Sequence, residues 1–316
     1  MTAARSDEPP SAPALAGEQS LRSVLAALAA NVAITIAKGV AAVLTGSAAL
    51  LAETLHSAAD AGNELFLLVA LRRSAREPDE RHPFGYGAER YFWALLAALG
   101  MFVVGGVVSV WHGVQSLLDP EPLDSFWVGA AVLTIALVLD SSSRFVAGRE
   151  VRRRAKARAL SVRGYVRESA DPTLTTVYLE DTADVVGAAL ALIALIVHEL
   201  GGPAAADGIA SMLIGVLLLY IATRLASRNR DLLTNQAVPD RYRERVRDLI
   251  AADEAVADVP SLQAIYLGPR DVLVTGEVRL HDSLDGDDVV DALDRIRRSI
   301  ATRYPQVSYW YLTPVA

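Results

Sequence analysis

The segment 52–68, AETLHSAADAGNELFLL, sets Glu53, His56, Asp60 and Glu64 in an otherwise apolar run. At 3.6 residues per helical turn these four fall on one stripe, within about 100° of arc. His56 and Asp60 are i and i+4, so their side chains meet on adjacent turns. A second run at 178–192, YLEDTADVVGAALAL, carries Glu180, Asp181 and Asp184. Glu180 and Asp184 are again i and i+4, and Asp181 lies about 60° round from Asp184. Gly187 and Ala191 continue the Glu180/Asp184 face and would let another helix approach closely. Two such helices facing each other supply one imidazole and two or three carboxylates. That nitrogen and oxygen set suits a divalent first-row cation such as Zn²⁺, Fe²⁺, Co²⁺ or Mn²⁺. The chain has no cysteine, which argues against a soft Cu⁺ site and excludes a disulfide framework. An imidazole of ordinary pKa about 6.5 is also a workable proton carrier.

The elements that must position these residues are membrane spans. The 316 residues are 52% hydrophobic, and the mean hydropathy is +0.30, too apolar for an ordinary soluble chain. A membrane helix needs about 20 mainly apolar residues. Six stretches qualify: 23–46, 48–71, 91–118, 125–147, 177–199 and 206–226. The loop after the second span holds Arg72, Arg73, Arg76 and Arg81. The loop after the fourth runs from Arg149 to Arg167 with Arg152, Arg153, Arg154, Lys156, Arg158 and Arg163 between. Arg224, Arg228 and Arg230 follow the sixth, while LTGS, LDPEPLDS and HELGGPAAAD contain no Lys or Arg. The positive-inside rule therefore predicts both termini in the cytoplasm. Charged groups in hydrocarbon cost about 2.5–3.5 kcal/mol each on insertion scales, so intramembrane acids imply a function.

Residues 1–20 are rich in Pro, Ala and Ser and read as a disordered tail. The spans occupy 21–231. The remaining 232–316 have the composition of a soluble domain, with the order helix, strand, strand, helix, strand. PDRYRERVRDLIAAD and DGDDVVDALDRIRRSIATRYP read as helices. The second has Val289, Val290, Leu293, Ile296 and Ile300 on one face and acids at its start that suit the helix dipole. SLQAIYLG, VLVTGEVRLH and QVSYWYL read as strands. The expected fold is thus a six-helix transmembrane bundle followed by a small αββαβ, ferredoxin-like domain. An open-faced sheet of this kind leaves a surface on which a second copy could pair, so a homodimer is expected.

Several stretches together resemble the cation diffusion facilitator family of metal/proton antiporters. NVAITIAKGVAAVLTGSAALLAETLHSAADAGNELFLL is similar to its first helix pair, with His56 and Asp60 in its HxxxD motif. HPFGYGAERYFWALLAALGMFVVGG, DPTLTTVYLEDTADVVG and DGIASMLIGVLLL resemble the family's third, fifth and sixth helices, the fifth in its LED-x-A subgroup. The resemblance implies a divalent metal as substrate, Zn²⁺ before the other three, exported from the cytoplasm against protons. It implies His56, Asp60, Asp184 and either Asp181 or Glu180 as ligands. Glu180 stands where many members have a second histidine, and Asp184 where the subgroup usually has alanine. Asp79 and His82 match an accessory loop site, but Tyr86 replaces a histidine found in some members, which implies a weak site or none. His281 alone in the last domain implies no binuclear zinc site there.

Other polar residues have simpler expectations. Glu53 and Glu64 would line vestibules or be solvated helix ends. Lys38 would snorkel or pair with an internal acid. Asn31, Asn63 and Asp207 would make interhelix hydrogen bonds, and His112 and His198 would be interfacial. The partners expected are the lipid bilayer and protons, with no organic cofactor, no nucleic acid and no enzymatic activity, since HExxH is missing. Arginine in place of lysine, with many Ala and Val, points to a GC-rich bacterial source, and the expected location is the bacterial inner membrane. A membrane-bound metal sensor or scaffold that binds metal without transport is the alternative.

Overall fold

The computed structural model describes residues 14–120, 123, 125–157, 160–168, 172–203, 205–269 and 271–315. Most of the tail reading at 1–20, and Arg158 in the basic loop, lie outside them. The helices are α1 (Ala14–Thr45), α2 (Ala48–Ser74), α3 (Glu89–Gly100), α4 (Val108–Leu118), α5 (Phe126–Ala157), α6 (Val162–Glu168), α7 (Pro172–Glu199) and α8 (Ala205–Leu233). A π-helical turn, Met101–Val107, joins α3 to α4 without a break.

Local chemistry explains several boundaries. α1 stops because Gly46 takes φ 68°, the left-handed conformation that glycine adopts without a Cβ penalty. Ser47 then caps α2, its hydroxyl accepting the N–H of Leu50 at 3.0 Å. α5 runs ten residues past the end of its apolar stretch, because Arg, Ala and Lys are good helix formers in any solvent. The short α6 was not expected from the sequence. It packs Tyr165 against Val151 and Ala155 of α5.

Among the described residues, four helical segments are long and apolar enough to cross a membrane: Glu89–Leu118, Phe126–Ala157, Tyr178–Glu199 and Ala205–Leu233. The apolar part of α1 found among the described residues, Asn31–Thr45, is shorter, and α2 carries the charged stripe. Burial runs opposite to that of a soluble protein. Val43, Trp127, Phe145 and Tyr220 face outward, while Lys38, Glu53, His56, Asp207 and Asn229 are buried. Charged groups turned inward beneath an apolar exterior are the pattern of a bundle in lipid. α2 packs against α1, α3, α7 and α8, around Leu50, Leu133, Leu195, Ile214 and Leu218.

The chain continues as α9 (Asp240–Ala251), β1 (Val256–Tyr266), β2 (Val272–Leu280), α10 (Gly286–Arg303) and β3 (Val307–Val315). The sheet order is β1-β2-β3, with β1 antiparallel and β3 parallel to β2. Val272, Val274, Val278 and Leu280 lie on one face of β2, and Val246, Ile250, Ile296 and Ile300 of the two helices cover it. The expected element order therefore holds, with two corrections. β1 begins at Val256 rather than Ser261, through two register shifts around Pro260. Proline is tolerated there because β1 is an edge strand. Val290 is exposed, not part of the buried face of α10, because the buried stripe is Ala292, Ile296 and Ile300, with Val289 and Leu293 half-buried. Asp285 caps α10 and forms a capping box with Asp288.

Candidate metal centre

α2 and α7 lie side by side, each bringing its i, i+4 pair to the contact. His56 is wholly buried. Its Nε2 is 3.1 Å from Oδ1 of Asp184 on α7, and its Nδ1 is 3.6 Å from Oδ2 of Asp60 on its own helix. One donor atom from each of the three lies within 4.8 Å of the others. Among the described residues, neither ring nitrogen makes an aligned hydrogen bond, and Oδ1 of Asp60 has no hydrogen-bond partner either. Leaving a buried polar atom unsatisfied costs about 1–3 kcal/mol. A divalent cation between one imidazole and two carboxylates would satisfy all three residues together.

The other two acids of α7 do not join this group among the described residues. Oε1 of Glu180 accepts a hydrogen bond from Nδ2 of Asn63 at 2.6 Å, one turn nearer the start of α7. Oδ2 of Asp181 accepts from the hydroxyl of Ser143 on α5 at 3.0 Å. The direction of Asp181 follows from helix geometry: about 60° of rotation away from Asp184 points it at α5 instead of α2.

A second cluster overlaps the first. Oxygen atoms of Glu53, Asp140 and Asp184 also lie within 4.8 Å of one another. Asp140 was missed in the sequence, although a lone acid in ALVLDSSS is the signal that the cost of intramembrane charge should flag. Glu53 is neither a vestibule residue nor a solvated helix end, because it is fully buried. Its Oε1 lies 2.9 Å from Nζ of Lys38, which also donates to the hydroxyl of Ser57 at 2.8 Å. Lys38 is thus paired with an internal acid. A Cβ at Gly187 would collide with Oε2 of Glu53, so the carboxylate would have to shift from where Lys38 holds it.

Among the described residues, Asn31, Asn63 and Asp207 make interhelix hydrogen bonds that hold the frame. Asn31 donates to Glu64 at 2.6 Å, Asn63 to Glu180, and Asp207 accepts from Ser47 and from the N–H groups of Ala48 and Ala49. Burial falls along α2 from Glu53 and His56, both wholly buried, to the half-buried stretch 59–64. The cluster is therefore more open toward the end of α2 that carries Arg72 and Arg73.

In the α2–α3 loop, the Asp79 carboxylate is already committed. It accepts the N–H groups of Arg81 and His82 and the hydroxyl of Tyr86, the last at 2.7 Å. The Tyr86 hydroxyl and the His82 N–H hold its carboxyl below the ordinary value of 3.8. Nδ1 of His82 lies 3.6 Å from Asp79, and its ring packs on Tyr86 at 4.1 Å between centroids. The same loop touches the C-terminal elements: Phe84 meets Tyr309 edge-on at 5.1 Å, and Gly87 lies against Gly268.

Residues 24–234 match the family model described as the cation efflux transmembrane domain. A human relative, named as the mitochondrial proton-coupled zinc antiporter SLC30A9, is 31% identical over 264 residues, covering 84% of this chain and 45% of the relative. Metal tolerance protein C4 of Arabidopsis thaliana is 31% identical over 261 residues, 83% of this chain and 57% of that protein. The cation-efflux pump FieF of Escherichia fergusonii is 27% identical over 289 residues, 90% and 89% of the two chains. The chain spans less than half of the human relative and just over half of the plant one.

Proposed function

Because the chain belongs to the cation efflux family, as an integral membrane protein with a cation efflux domain over residues 24–234, we propose that it is a divalent metal/proton antiporter. The observation that carries this reading is the His56, Asp60 and Asp184 group, in which a buried imidazole faces two carboxylates and neither ring nitrogen makes an aligned hydrogen bond among the described residues. In this reading α1, α2, Glu89–Leu118, α5, α7 and α8 make six crossings, with both termini cytoplasmic in a bacterial inner membrane. The basic loops after α2, α5 and α8 support that orientation.

The substrate is Zn²⁺ before Fe²⁺, Co²⁺ or Mn²⁺; zinc appears in the name of the human relative. The ion enters from the cytoplasm, where the half-buried end of α2 opens, and binds between α2 and α7. His56, Asp60 and Asp184 are its ligands, and Glu180 or Asp181 completes the set after rearrangement. Rocking of the helices about this central site then exposes the ion to the other side. Protons return on the same ligands once the ion has left, since imidazole and carboxylates accept either cation. Residues 232–316, αββαβ and ferredoxin-like, serve as a cytoplasmic dimerisation domain. No organic cofactor and no enzymatic step belong to this reading.

The test is Zn²⁺ flux in proteoliposomes under an imposed pH gradient. Wild type is expected to move Zn²⁺ against protons, and His56→Ala/Asp60→Ala to move none. Unchanged flux in the double variant overturns the assignment. Stoichiometric Zn²⁺ binding without flux in wild type would instead identify a membrane-bound metal sensor.

A further inference from the structure

Lys38 does not reach for a membrane surface, as a long cationic side chain in a span usually does. It is 1% exposed and turned into the bundle, onto Glu53 and Ser57. Glu53 in turn shares a cluster with Asp140 and Asp184. Asp184 belongs to both this cluster and the His56 group, so the two positions adjoin through one carboxylate. Among the described residues, Oε2 of Glu53 and Oδ2 of Asp140 are buried without hydrogen-bond partners. Three carboxylates from three helices, two with a bare oxygen, form an oxygen donor set that a divalent cation, Zn²⁺ included, can take.

We propose that Lys38 is a specificity-determining residue: its ammonium is the resident cation of the Glu53, Asp140 and Asp184 cluster and limits the chain to a single divalent ion, held at His56. This rests on the reading of His56, Asp60 and Asp184 as the substrate site. The physical basis is charge and coordination. Four carboxylates, Asp184 with Asp60, Glu53 and Asp140 grouped around it, would attract more than one divalent ion if nothing balanced them. A tethered ammonium balances one of them and cannot leave. It donates hydrogen bonds and has no coordination position to offer a ligand. A divalent ion entering beside Glu53 must displace it, and Glu53 is held to it at 2.9 Å.

The experiment is Zn²⁺ equilibrium dialysis of the full chain in detergent, with metal and protein quantified in the same sample. Lys38→Met is expected to raise bound Zn²⁺ per chain about twofold over wild type, by opening a second oxygen site. Lys38→Met/Asp140→Asn is expected to return to the wild-type ratio. A structural role for Lys38 would lower stability without raising the ratio. No gain in Lys38→Met, or the same gain in the double variant, overturns the proposal. If Lys38→Met does not fold alone, Zn²⁺ during expression is expected to rescue it as a substitute cation. Failure of that rescue, while Lys38→Met/Glu53→Gln folds, overturns the proposal as well. Absence of Zn²⁺ from wild type tells instead against the His56 site, because this inference is read only from the gain over wild type.

Discussion

Asp207, in the first turn of α8, accepts the hydroxyl of Ser47 and the N–H groups of Ala48 and Ala49, 160 positions earlier at Ser47. One buried carboxylate therefore caps the helix that carries His56 and ties it to α8. A negative charge at a helix N-terminus is favoured by the exposed N–H groups and by the dipole. Asp207→Ala leaves those donors unpaired in the bundle, at a cost of about 1–3 kcal/mol. Asp207→Asn keeps an acceptor oxygen and is expected to lose less. Thermal unfolding in detergent measures both, and equal stability of Asp207→Ala and wild type would contradict the cap.

The acids of α7 should differ in their effect on transport. Asp184 touches His56 directly, Glu180 is held by Asn63, and Asp181 by Ser143. Asp184→Asn is expected to abolish Zn²⁺ flux. Glu180→Gln is expected to weaken apparent affinity while keeping flux, because the Glu180 carboxylate is held by Asn63 and joins the ion only after rearrangement. Asp181→Asn is expected to stay closest to wild type. Flux measured over a Zn²⁺ concentration series orders the three, and an inert Asp184→Asn would remove α7 from the site.

The α2–α3 loop should respond to acid through Asp79. Its carboxyl is held below 3.8 by the Tyr86 hydroxyl and the His82 N–H. A depressed folded value means that this anchoring is fully present above the unfolded value and disappears as pH falls through the folded one. The loop contact is therefore expected to be constant at neutral pH and to weaken only below 3.8. Tyr86→Phe removes the largest cause and should move the Asp79 titration up toward its ordinary value, read from the carboxyl carbon shift by NMR. A midpoint unmoved in Tyr86→Phe would mean that the hydroxyl does not hold Asp79.

Gly87 and Gly268 should act as one contact. A Cβ on Gly87 would lie 2.9 Å from the Cα of Gly268 and 2.9 Å from the carbonyl oxygen of Leu267, and neither backbone atom can swing aside. Gly87→Ala and Gly268→Ala are each expected to destabilise by about 1–3 kcal/mol, as overpacking does. Together they should cost less than the sum, because the first substitution already separates the two segments. Unfolding of the single and double variants gives the coupling, and strict additivity would show that the two glycines do not face each other.

Residues with only one sensible use in a bundle were legible before any fold was known. Asn31, Asn63 and Asp207 read as interhelix donors and acceptors, and each has such a partner. An amide or carboxyl in hydrocarbon must find a partner within the bundle. Glu53 and Asp140 were harder. The sequence places Glu53 one turn before His56, but nothing in its spacing reveals Lys38 of another helix as its partner. Asp140 joins the cluster from α5, which has no i, i+4 companion acid to announce it.

The sequence by itself determined the neighbours along each helix. At about 100° per residue, His56 and Asp60 must share a face of α2, and Glu180 and Asp184 a face of α7. The order of elements in residues 240–315 followed from periodicity in the same way. Only the tertiary structure decided which α7 acid meets His56 and which cation sits beside Glu53. Those depend on the rotation and height of one helix against another, which local periodicity does not encode. They are set by packing: α7 comes close where Gly187 has no side chain to keep it from Glu53. That approach brings Asp184 to His56 while Asp181 turns to Ser143.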